Sequence, residues 1–136
     1  MALQALTRRE DALAPDPVSE EEAAALLRAA VNLFARWGLT DAQAAALLDQ
    51  PLRTYRRWKT APPGRIGRDL TARLSNLMGI HKALRIIFTD PARGYAWIKA
   101  PNAAFGGGSA LDIMLGGELT DLMRVRRYLD AERGGW

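Results

Sequence analysis

A hydroxyl side chain three positions ahead of a carboxylate or carboxamide, followed by apolar residues spaced by three and four, recurs along this chain and commits it to helices. Ser19 with Glu22, Thr40 with Gln43 and Ser109 with Asp112 have this form. Each pair satisfies two of the backbone N–H groups that a helix start leaves without partners. After Ser19, the residues Leu26, Leu27, Ala30, Val31, Phe34 and Trp37 keep helical spacing until Gly38 stops the helix. The helix opened by Thr40 runs through Ala44, Ala45, Leu47 and Leu48 and must end before Pro51. Pro51 suits the first position of a third helix, which turns Leu52, Tyr55 and Trp58 inward and Arg53, Arg56, Arg57 and Lys59 outward.

Pro62-Pro63-Gly64 interrupts this pattern, because neither proline continues a helix. Beyond it Leu70, Leu74, Leu77, His81, Leu84 and Phe88 predict one long helix over about 68–88. Gly79 stands inside it at a cost of about 1 kcal/mol relative to alanine, which leaves a break near it open. Asp90-Pro91 starts a short helix through Trp97 and Ile98, residues 101–108 form a loop, Ser109 opens a helix to Leu115, and Gly116-Gly117 precedes a last helix near 118–132. Nowhere do β-branched residues alternate with polar ones, so the expected class is all-α. Residues 1–18, with Pro15 and Pro17, read as an arm or short helix and linker; 19–66 form one helical region and 67–136 a second packed on it.

Composition narrows the chemistry. With 136 residues, no cysteine and a single histidine, His81, the chain has no thiolate nucleophile, zinc finger or multi-histidine metal site. We therefore expect neither an enzyme nor a bound cofactor. No stretch is apolar enough for a membrane span and the N-terminus has no secretory pattern, which leads us to expect a cytoplasmic protein. The net charge of +4 is unevenly spread. Residues 1–22 are mostly acidic, whereas 50–68 hold only bases: Arg53, Arg56, Arg57, Lys59, Arg65 and Arg68. A single-sign cluster of this kind attracts polyanions.

The stretch from Leu39 to Lys59 is the sharpest signal. Two short helices joined by a tight turn, the second burying Tyr55 and Trp58 while exposing arginines, make a helix-turn-helix. A helix fits the major groove, and arginine bonds two acceptors of guanine at once. Arg53, Thr54, Arg56, Arg57 and Lys59 are the expected contacts to operator DNA.

LTDAQAAALLDQPLRTYRRWK resembles the helix-turn-helix of Xre/Cro-type repressors, with Asp49 where those favour a turn glycine and Gln50-Pro51 replacing a hydrophobic-Ser pair. Asp tolerates the left-handed conformation better than most residues. Further on, Asp90, Trp97, Pro101, Asn102, Phe105, Gly106, Gly107, Ser109, Leu111 and Asp112 follow the order of the C-terminal domain of the Xre/MbcA/ParS antitoxin family, with Ala110 where proline is common. The ending VRRYLDAERGGW is similar to the ParS branch, and the resemblance covers about residues 20–136. It implies an antitoxin of a type II toxin-antitoxin pair that occludes the active site of a RES-domain toxin acting on NAD and represses its own operon. It also implies dimerisation through 67–136, giving a homodimer within a hetero-oligomeric complex. Arg133, Gly134, Gly135 and Trp136 would meet the toxin, the last three as a plug. The alternative, a transcription regulator without a toxin, needs only the helix-turn-helix.

Three other features have structural readings. Gly106-Gly107-Gly108-Ser109 follows no strand and lacks a P-loop lysine, so it reads as a tight turn capping the next helix. His81 reads as a packed, hydrogen-bonded residue, and Asp112, Glu118 and Asp121 as helix-start carboxylates.

Overall fold

The computed structural model describes residues 18–134, and all regular structure among them is helical. The α-helices are α1 (Glu20–Arg36), α2 (Asp41–Leu47), α3 (Leu52–Trp58), α4 (Arg68–Ile87), α5 (Pro91–Trp97), α6 (Ala110–Met114) and α7 (Leu119–Glu132), with one 3-10 turn at Ala103–Phe105. The capping boxes at Ser19, Thr40 and Ser109 all form, and at the start of α7 the Asp121 side chain accepts from the Glu118 N–H at 3.1 Å. Gly38, at φ 68°, closes α1, with the Leu39 N–H donating to the carbonyl of Phe34. Asp49 takes φ 52°, left-handed as expected where a glycine would be usual, and lets α3 follow α2 after a four-residue turn. Pro51 caps α3 from outside, one position earlier than expected; its extended ψ of 144° keeps it out of the helix.

The core is one continuous cluster. Leu27, Leu33, Phe34 and Trp37 of α1 and its cap join Leu47, Leu48 and Tyr55 from the helix-turn-helix. Leu74, Leu77, Ile80 and Leu84 of α4 carry that cluster across to Met114, Leu122, Val125 and Leu129. Each such side chain contributes roughly 1.5–3 kcal/mol by leaving water. Helix α4 is the shared wall, packing on α1, α5 and most extensively on α7.

The long helix runs unbroken through Gly79, and the glycine has a packing reason. A Cβ there would lie 2.5 Å from the guanidinium carbon of Arg126, which crosses α4 at this point from α7. The residues 98–112 are held by their own backbone. Asn102 caps the 3-10 turn through Ala104 at 2.9 Å, its N–H donates to the carbonyl of Gly108 at 2.8 Å, and Gly106 and Gly107 take φ of 69° and 89°. The glycine run is thus a turn leading to the Ser109 cap, as expected. Phe105 is buried against Trp97 and Tyr128 with ring centroids 6.1 and 5.2 Å away, and the guanidinium of Arg124 stands 5.6 Å from its ring centre.

His81 departs from expectation. It is half-buried and stacks on Tyr95 at 6.5 Å, but its Nδ1 is buried without a hydrogen-bond partner among the described residues. The ring is thus held by stacking, with no partner for its buried nitrogen among the described residues.

Candidate functional site

Helix α3 presents its charges on one side because Tyr55 is pinned on the other. Tyr55 is buried against Phe34, with ring centroids 6.1 Å apart, and Trp58 and Leu52 are half-buried beside it. Burial pushes the Tyr55 hydroxyl up to about 12, with the charge of Asp41 adding to the effect. Arg53, Arg56, Arg57 and Lys59 are exposed and Thr54 is half-buried, so all five expected contact residues are at least partly accessible.

Their electrostatics are unequal. Asp41, the first residue of α2, accepts from Lys59 Nζ at 2.9 Å and from Arg56 Nε at 3.3 Å. The hydrogen bond from Lys59 is the main reason the Asp41 carboxyl lies below its usual 3.8; the one from Arg56 and the charges of both cations reinforce it against desolvation. Arg53 and Arg57 have no carboxylate within 4.0 Å among the described residues. They stand four apart on the exposed face, one turn from each other. Sequence reading missed Asp41. The signal was available: two joined helices of seven residues each bring the start of the first beside the end of the second.

At the other end of the chain Arg133 is half-buried and lies 3.9 Å from Asp130, and Gly134 is exposed with φ 69°. Gly135 and Trp136 lie outside the described residues. The two expected sites therefore sit on separate elements, α3 and the end of α7.

What joins their two regions is Arg73, also missed by sequence reading. It is 3% exposed, donates from Nε to the Asp69 carboxylate at 2.7 Å, and donates from Nη1 to the carbonyls of Gly117 at 2.8 Å and Leu47 at 3.3 Å. Lys99 makes a second tie, donating to the carbonyl of Gly38 at 2.8 Å. Among the described residues no helix is long and apolar enough to cross a membrane.

This is a helix-turn-helix protein whose DNA-binding-type unit shares a helix and a core with a second helical domain. Comparison with known proteins specifies it further. Residues 16–79 match the antitoxin Xre-like helix-turn-helix domain, and residues 83–135 match the antitoxin Xre/MbcA/ParS C-terminal toxin-binding domain. The chain is 46% identical to protein y4oB of Sinorhizobium fredii over 110 residues, 80% of this chain and 84% of that one. Its fold is similar to a chain in the crystal structure of the M. tuberculosis MbcT-MbcA toxin-antitoxin complex, with a TM-score of 0.54 and 23% identity over 81% of this chain and 95% of the other. The chain belongs to the Xre/MbcA/ParS antitoxin family, with a helix-turn-helix domain and a toxin-binding domain.

Proposed function

We propose that this antitoxin neutralises a RES-domain toxin acting on NAD, by covering the toxin's active site, and represses its own operon through α3. The observation that carries this reading is the union, in one core, of an arginine-faced helix-turn-helix with a family-matched toxin-binding domain. In this division residues 19–66 hold DNA, while 67–136 hold the toxin and a second copy of the chain. Occlusion needs complementary surface and no catalytic residue, so the chain itself is not an enzyme. It acts in the cytoplasm, where both operator and NAD are found.

For the toxin side, Arg133, Gly134, Gly135 and Trp136 form the contact. The glycines thread a cleft, and an indole suits a pocket built for an aromatic base. On the DNA side, Arg53 and Arg57 reach base edges and phosphates without first giving up an ion pair.

Co-expression with the protein encoded beside this chain, with and without residues 131–136, tests the proposal. We expect a stable complex with the full chain, and NAD depletion in cells only when those residues are missing. A complex of undiminished affinity without them overturns the plug. Absence of both complex and toxicity overturns the toxin reading and leaves a regulator without a toxin.

A further inference from the structure

The carboxylate of Asp41 stands among cations that DNA binding would use; it suits the first turn of α2 but is not part of its cap. Capping of α2 is complete without it: the Thr40 hydroxyl accepts from the Gln43 N–H at 3.1 Å, and the Gln43 side chain accepts from the Thr40 N–H at 2.9 Å. Asp41 instead faces α3 and holds two of its four cations.

A phosphate oxygen asks of Arg56 and Lys59 the same hydrogen bonds that Asp41 already receives. For Arg56 to present its Nε edge, and Lys59 its bonded N–H, to a phosphate, each must leave Asp41, and the freed carboxylate then repels the approaching backbone. Arg53 and Arg57 bear no such cost. Phosphate contacts supply affinity that is blind to sequence, whereas base contacts supply discrimination. A carboxylate that occupies two cations near the backbone thus suppresses the blind component selectively.

We propose that Asp41 is a specificity-determining residue, an internal stand-in for phosphate that withholds Arg56 and Lys59 from arbitrary DNA and leaves recognition to Arg53 and Arg57. This rests on the reading of α3 as the DNA-binding helix. The surface side-chain exposure of Arg56, 62%, allows the exchange from Asp41 to phosphate without rearranging the core.

The test uses the full chain and two duplexes: the segment upstream of its own coding sequence, and a random sequence of equal length. Affinities are measured across salt concentrations for the wild type, Asp41→Asn and Asp41→Ser, with unfolding curves to verify the fold. We expect each variant to bind the random duplex about three- to tenfold more tightly at low salt, with a salt slope steeper by about 1–2, as one or two added phosphate contacts require. The ratio of upstream to random affinity should fall. A purely structural role for Asp41 would leave the salt slope unchanged. Folded variants whose random-duplex affinity is unchanged or weaker overturn the proposal while the DNA reading stands, provided Arg53→Ala lowers wild-type binding. No binding of either duplex by wild type or variants overturns both.

Discussion

Nη1 of Arg73 donates to the carbonyl of Gly117 at 2.8 Å, tying the middle of α4 to the turn between α6 and α7. The same nitrogen reaches the carbonyl of Leu47 at the end of α2, 3.3 Å away. One guanidinium thus satisfies backbone acceptors from the helix-turn-helix and from the toxin-binding domain at once. Asp69, which orients it, is 59% exposed on its side chain and loses little by being left alone. The Leu47 carbonyl is buried and that of Gly117 partly so, so both have less recourse to water.

Replacing Arg73 by methionine keeps much of the volume and removes the donors. The expected loss is about 2–4 kcal/mol of unfolding free energy, from two acceptors left without partners. Arg73→Lys should recover only part of it, since an ammonium does not present the planar fork. Urea unfolding of the three proteins measures this; a loss below about 1 kcal/mol for Arg73→Met would show that the two carbonyls find other donors.

Gly79→Ala puts a methyl against Arg126. That guanidinium is the end of a flexible side chain, its side chain is 38% exposed, and its contacts to Asn76 and Asp130 are long, 3.5 and 3.7 Å. Moving it costs less than the helix gains from alanine, about 1 kcal/mol. Thermal unfolding should show an unchanged or slightly raised midpoint. Gly117→Ala, at φ 84° beside the Arg73 acceptor, should lower it.

How much of this molecule its sequence discloses depends on range. The caps at Ser19, Thr40 and Ser109, the left-handed Asp49 and the span of α4 follow from residues within one or two turns of each other. They are legible because local chemistry decides them. Arg73 is not, since an arginine beside Leu70 and Leu74 looks the same in sequence whether it reaches water or two distant carbonyls. The pairing of Asp41 with Arg56 and Lys59, fifteen and eighteen positions away, depends on how α2 folds back on α3. Gly79 looked like a weak point in a helix because the side chain that needs its space lies on α7. The placing of His81 on the apolar face was legible, but whether its nitrogen found a partner was not.

His81 predicts an acid sensitivity. Burial, then the charges of Arg85 and Arg36, depress its pKa below the usual 6.5. Below 6.5 the unfolded chain takes up a proton that the folded chain resists, so stability falls as pH drops through this value and is fully present above it. Asp41, also depressed, contributes in the same direction but in a separate window, losing its contribution below about its usual 3.8. Unfolding midpoints of wild type and His81→Gln across mildly acidic pH should diverge, with the variant's profile flatter. Parallel profiles would assign the acid sensitivity to other groups.

Arginine substitutions on α3 should separate the two activities proposed for the chain. Arg53→Ala and Arg57→Ala should each weaken binding to the upstream duplex by about 1–3 kcal/mol where they read a base, or lower the salt slope by about 1 where they hold a phosphate. Arg56→Ala should cost less, because Asp41 already claims that side chain at 3.3 Å. None of them touches α7, so capture of the neighbouring toxin should persist. Loss of toxin binding in Arg53→Ala would mean that α3 also contributes to the toxin surface.

Truncation at the other end should do the reverse. Ending the chain at Glu132 leaves Leu122, Val125 and Leu129 in the core and, among the described residues, removes the capping hydrogen bonds from the N–H groups of Arg133 and Gly134 to Leu129 and Ala131 and a partly exposed 3.9 Å ion pair between Arg133 and Asp130. Such pairs are worth about 0–1 kcal/mol, so the unfolding midpoint should move by only a few degrees. DNA binding through α3 should be retained, while growth rescue and NAD levels in cells carrying the toxin should fall. A truncated chain that binds DNA and still neutralises would move the decisive contact from residues 133–136 to the helical surface of the toxin-binding domain. The aromatic group of Trp97, Phe105 and Tyr128 would then be the first place to substitute, since it already carries a cation, Arg124, at its edge.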